Sequence, residues 1–162
     1  MSGNFPKAVL NTLFVVAGIT SAGSLLADTL VNDPLFIAGS YKCTGYDSHD
    51  GAFKGDLTFA VDDRVSNFAQ GFGAYKFKLE VPLDGATATY SGIAAAQGHL
   101  LAMYFANDSQ SAATDRGVGI TVVSRDQDNK GQYSTTLHKS YYLPDYMGGG
   151  RGTETCVKIA GS

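Results

Sequence analysis

Between Gly39 and Ala160 the chain alternates apolar and polar residues in short runs, each ended by Gly, Asp, Asn or Ser. An apolar residue at every second position marks a half-buried strand, and closely spaced breaks make successive strands hairpin neighbours. Tyr75, Phe77, Leu79 and Val81 against Lys76, Lys78 and Glu80 form the cleanest such run; Pro82 to Gly85 turns it into a strand carrying Ala86, Ala88, Tyr90 and Gly92 on one face. About eight runs follow in succession, so the expected fold is all-β: a single antiparallel meander closed as a small barrel.

The chain of 162 residues is long enough for one domain with a real core and too short for two. Eighteen Phe and Tyr residues with 20 Gly lean towards strands and tight turns. Residues 1–27 depart from this pattern. Lys7 is their only charge, and Ala8 to Ile19 is an apolar run of signal-peptide length, followed by small residues that allow cleavage after Ala22 or Ala27. The alternative is an uncleaved N-terminal helix, although the run is short for a full span of ~20 residues. The expected organisation is a cleaved signal peptide over 1–27, a linker over 28–38 and a barrel over 39–162. A periplasmic or secreted protein with no stable membrane span follows from it.

Loss of the leader removes Lys7 and leaves eleven basic residues against fifteen acidic ones. The basic residues are scattered singly, which argues against nucleic-acid binding, since that rests on clustered cations. Cys43 and Cys156 are the only cysteines, an even count suited to an oxidising compartment. A bridge between them would close a loop of 113 residues. In the chain-entropy picture that contributes about 4 to 5 kcal/mol. It also requires the two Cα atoms to lie within about 7 Å, so the first and last strands must be neighbours.

Gly39-Ser40-Tyr41 entering the first strand, followed by eight meander strands with the last returning to the first, resembles the calycin group of lipocalin- and avidin-like barrels. Tyr41 stands where lipocalins carry Trp. The resemblance implies an up-and-down barrel over about residues 39 to 160, with an interior that side chains can fill or that can hold one small ligand.

Candidate chemistry is sparse. His49, His99 and His138 lack ligand spacing, and no metal site or other cofactor is expected. Asp126 to Gly131 matches a calcium loop only in part, because Lys130 takes the fifth place and Leu137 the twelfth, and it is read as a hairpin turn. Asp47, His49, Asp50 and Gly51 are read likewise. No G-x-S-x-G elbow occurs and no catalytic set is assigned, so an enzyme is not expected.

Two functions remain. The first is a cell-envelope interaction module that binds another envelope protein through a loop over Tyr141 to Gly150, carrying Tyr141, Tyr142, Tyr146 and Met147. It also uses strand His99 to Asn107, which is apolar on both faces and includes Tyr104. The second is a carrier of a small apolar ligand, with Ala86, Ala88, Gly92, Gly117 and Gly119 leaving space inside the barrel. A cavity of ~300 Å³ or more with converging polar groups would favour the carrier; a core filled by Leu57, Phe59, Phe77, Leu101, Met103 and Phe105 would favour the interaction module.

Overall fold

The structure, a computed structural model, describes residues 33–161. The leader and residues 28–32 of the expected linker lie outside them. Eight strands run β1 (Gly39–Asp47), β2 (Gly51–Val61), β3 (Phe72–Leu83), β4 (Ala86–Gln97), β5 (Leu100–Asn107), β6 (Arg116–Gln127), β7 (Tyr133–Leu143) and β8 (Gly150–Lys158). Every strand pairs antiparallel with its sequence neighbour, and β8 returns to β1, so the sheet is a closed up-and-down barrel. This is the fold that the period-two pattern predicts. Cys43 and Cys156 face each other directly in the β1–β8 register and form a disulfide across the join.

Alternation decides which residues enter the barrel. On β3, Tyr75, Phe77, Leu79 and Val81 are buried while Lys76 and Lys78 face solvent. Asp84 and Gly85 make the two-residue turn between Leu83 and Ala86; Gly85 has φ +77°, a conformation that L side chains adopt only with strain. Inward glycines lie under aromatic rings rather than around empty space. A Cβ on Gly92 would meet the Phe77 ring, one on Gly117 the Phe105 ring and one on Gly152 the Tyr141 ring. The small residues expected to leave room for a ligand mostly admit a neighbour's side chain instead, and Ala86 is exposed.

The two ends of the barrel differ. One is packed solid by Tyr41, Phe59 and Tyr75, stacked edge to face, together with Leu57, Leu101 and Leu137. Residues 33–38, the described part of the expected linker, close this end. Ile37 is fully buried, and Asp33 accepts hydrogen bonds from the backbone N–H groups of Leu35, Ile37 and Ala38 and from the Tyr75 hydroxyl at 2.7 Å. Burial, and then the nearby Asp33 carboxylate, raises the Tyr41 hydroxyl far above its ordinary pKa. The other end is open among the described residues.

The expected loop over Tyr141 to Gly150 is shorter than the sequence indicated. β7 runs on to Leu143, paired with Gly150, so Tyr141 and Tyr142 are strand residues that point to opposite faces. Pro144 and the glycine run suggested an earlier break, but ladder pairing on both sides of β7 holds the strand extended to Leu143.

Candidate functional site

The open end holds a hollow of about 620 Å³. Its apolar wall comes from Phe53 of β2, Phe77, Leu79 and Val81 of β3, Phe105 of β5 and Leu143 of β7. Phe77 and Phe105 are the innermost of these, and below them the solid packing begins. The interior is therefore filled at one end and hollow at the other, and the six residues expected to fill it are all buried.

Three tyrosine–aspartate pairs surround the mouth. The Tyr141 hydroxyl donates to Asp47 at 2.9 Å, that of Tyr90 to Asp115 at 2.8 Å, and that of Tyr146 to Asp50 at 3.0 Å. Asn107 also donates to Asp115, at 2.9 Å. The aspartates are themselves fixed by the chain: Asp47 accepts the His49 N–H inside the β1–β2 turn. Tyr146 lies edge-on to His49, whose ring contacts the Gly149 carbonyl, so the β7–β8 connection is fastened to the β1–β2 turn. Burial raises the Tyr90 and Tyr141 hydroxyls well above their ordinary range, and the adjacent carboxylates add to this. For the same two reasons Tyr146 is pushed up to about 12. All three are neutral donors at physiological pH.

At the floor of the hollow, Lys139 of β7 and Glu154 of β8 sit directly opposite each other and form an ion pair. Both side chains point into the barrel; Lys139 is 8% exposed and Glu154 2%. The Lys139 ammonium also lies over the rings of Phe105 and Tyr141 at 5.2 and 5.3 Å. Oε1 of Glu154 has no hydrogen-bond partner among the described residues. Cys43 and Cys156 lie close to Glu154, but their sulfurs are joined in the disulfide and offer no thiolate to a metal.

The five residues expected to bind a partner do not share one surface. Tyr141 lines the hollow, Tyr146 fastens its rim, and Met147 stands exposed in the β7–β8 connection. Tyr104 and Tyr142 face outward in one row with Val118 between them, through the pairings Tyr104–Val118 and Val118–Tyr142. Ile93, Leu100, Ile120 and Val122 extend that row over the outside of β4, β5 and β6, with Ile120 68% exposed. The two apolar faces of β5 are thus real, and its outer face stays uncovered by other described residues.

Lys139 and Glu154 carry no signal in the sequence: Lys139 is a single charge in the mostly polar β7, and Glu154 stands between Arg151 and Lys158 in β8. Asp47 and Asp50 read as ordinary turn residues, and Asp115 belongs to no motif of the sequence. Their tyrosine partners lie 94, 96 and 25 positions away, beyond any local pattern. Among the described residues no helix is long and apolar enough to cross a membrane. No family model, curated protein or solved structure matches this chain.

Proposed function

We propose that the protein is an exported, calycin-like carrier that holds one small amphipathic molecule in the open half of its barrel. The observation that carries this reading is the hollow itself. Its volume of about 620 Å³ falls in the range of about 300 to 1,000 Å³ typical of small-molecule sites, and an apolar wall with a few converging polar groups is the usual composition of such sites. The disulfide and the fixed tyrosine–aspartate pairs support a pre-formed site, which lowers the ordering cost of binding. Export rests on the apolar leader and suits the disulfide.

Native mass spectrometry of protein purified from its host tests the reading, with uptake of the neutral dye Nile red as a second measurement. The carrier should show an adduct mass or take up dye. Ala88→Phe, which projects a ring into the hollow from β4, should abolish either signal without unfolding the chain. Wild-type protein with neither adduct nor dye uptake would refute the proposal.

A second reading, binding to another envelope protein, is favoured by the uncovered apolar row through Tyr104, Val118 and Tyr142. Contiguous apolar surface of that extent is unusual on a monomer. Ile120→Lys places a charge in the middle of the row and should abolish partner recovery while leaving dye uptake intact; unchanged recovery would remove this surface from consideration.

A further inference from the structure

We propose that the hollow selects a protonated amine carried on an apolar body, with the ammonium seated between Glu154 at the floor and the carboxylates of the mouth. The inference rests on the carrier reading and names the ligand class.

Three observations support it. The first is charge. Asp47, Asp50, Asp115 and Glu154 line the hollow, against Lys139 at the floor and Lys54 at the rim. Negative charge therefore exceeds positive charge on the wall, and an anionic headgroup would be repelled where a cation is drawn in.

The second is hydrogen-bonding polarity. The hydroxyl hydrogens of Tyr90, Tyr141 and Tyr146 are committed to Asp115, Asp47 and Asp50, and the Asn107 amide also donates to Asp115. The Lys139 ammonium is directed at Glu154 and at the two rings. What this wall has left to offer a ligand is mainly carboxylate and phenolic oxygen, which accept hydrogen bonds. The matching ligand is rich in donors.

The third is the orphaned atom. Glu154 belongs to the wall of the hollow and is 2% exposed; its Oε2 faces Lys139, and its Oε1 is buried with no partner among the described residues. A buried carboxylate oxygen left without a donor is costly, and natural proteins rarely keep one unless something else supplies the hydrogen. An ammonium N–H that reached Oε1 from the hollow would meet that need, with the rings of Phe105, Tyr90 and Tyr141 in the same wall. Phe53, Phe77, Leu79 and Val81 then take the hydrocarbon or aromatic body.

The test uses three probes that share one body and differ only in headgroup: 4-phenylbutylamine, 4-phenylbutan-1-ol and 5-phenylpentanoate. Each is titrated calorimetrically into the purified chain at pH 7, and methyl chemical shifts of Leu79 and Leu143 report whether it enters the hollow. The amine should bind at least tenfold more tightly than the alcohol, and the carboxylate at least tenfold more weakly than the alcohol. Glu154→Gln should reduce the preference for amine over alcohol at least tenfold. In case that variant does not fold, the paired replacement Lys139→Met with Glu154→Leu removes the same carboxylate without leaving a lone buried charge, and it should also reduce the preference for amine over alcohol at least tenfold.

Equal binding of amine and alcohol to the wild-type chain, or tightest binding of the carboxylate, overturns the amine inference and leaves the carrier reading standing. Failure of all three probes to move the Leu79 and Leu143 signals overturns both. Amine preference that is undiminished in the paired variant shows that Glu154 does not seat the ammonium, and the inference fails on that result as well.

Discussion

Breaking the Lys139–Glu154 pair is the sharpest probe of the barrel interior. The two residues are directly opposed across β7 and β8, are 8% and 2% exposed, and form no other salt bridge among the described residues. Removing one partner strands the other charge in a desolvated site, and such a change typically costs about 3 to 5 kcal/mol. At roughly 3 to 4 °C per kcal/mol for a domain of this length, Glu154→Gln and Lys139→Met should each lower the melting temperature by about 10 to 20 °C. Replacing both together, with Lys139→Met and Glu154→Leu, removes the stranded charge and the desolvation cost at once. That variant should therefore lie within ~1 kcal/mol of the wild type or above it. Circular dichroism melts and urea titrations of the four proteins complete the double-mutant cycle. Single variants that lose less than ~1 kcal/mol would mean that water from the hollow solvates the pair freely. A double variant as unstable as the worse single would mean that the cost is one of packing and not of charge. Either result refutes the reasoning.

Tyr141 and Tyr142 are adjacent in sequence and opposite in role. Tyr141→Ala, which removes a half-buried ring and its bond to Asp47, should cost about 2 to 4 kcal/mol in a chemical denaturation series, whereas Tyr142→Ala on the outer face should stay within about 0.5 kcal/mol. Asp33→Ala removes the acceptor for three backbone N–H groups and the Tyr75 hydroxyl, and should lose about 2 to 3 kcal/mol, with amide exchange at Ile37 and Ala38 rising first. Burial, aided by nearby carboxylates, raises the hydroxyls of Tyr41, Tyr75, Tyr90, Tyr141 and Tyr146. Because folding favours their neutral forms, their stabilisation is complete below the unfolded value of about 10 and is lost as pH rises through about 12 for Tyr146 and higher still for the rest. An absorbance titration should show a late group of phenolates ionising together with the loss of near-ultraviolet circular dichroism; early ionisation of all nine tyrosines in a folded protein would refute this.

How legible the molecule is in its sequence depends on the range of the interaction. Alternation in Tyr75 to Val81 is local, so strands, hairpins and inward faces can be read directly, and Cys43 with Cys156 adds the one long-range constraint that closes the sheet. The end of β7 is misread because Pro144 and the three glycines that follow outweigh a ladder invisible without β6 and β8. The hollow is not legible at all. Its depth depends on which glycines receive rings, as Gly92 receives Phe77 and Gly152 receives Tyr141, and those matches are set by register between strands. The carboxylates of the mouth carry the same residue types as any turn, and only barrel closure brings Asp47 to Tyr141 and Asp50 to Tyr146.

A closed sheet has no free edge, but it has one seam, where its first and last strands meet. In this barrel the seam is β1 against β8, joined through Cys43 and Cys156. Parting it would expose two full-length strand edges, each able to add to a strand of another molecule. The covalent bolt keeps a chain whose hydrogen bonds have briefly opened from recruiting a neighbour before it recloses. Under reducing conditions the same opening would leave two unbolted edges nine residues long, and the failure to expect at high concentration is cross-chain pairing at the seam, long before the packed end of the barrel gives way.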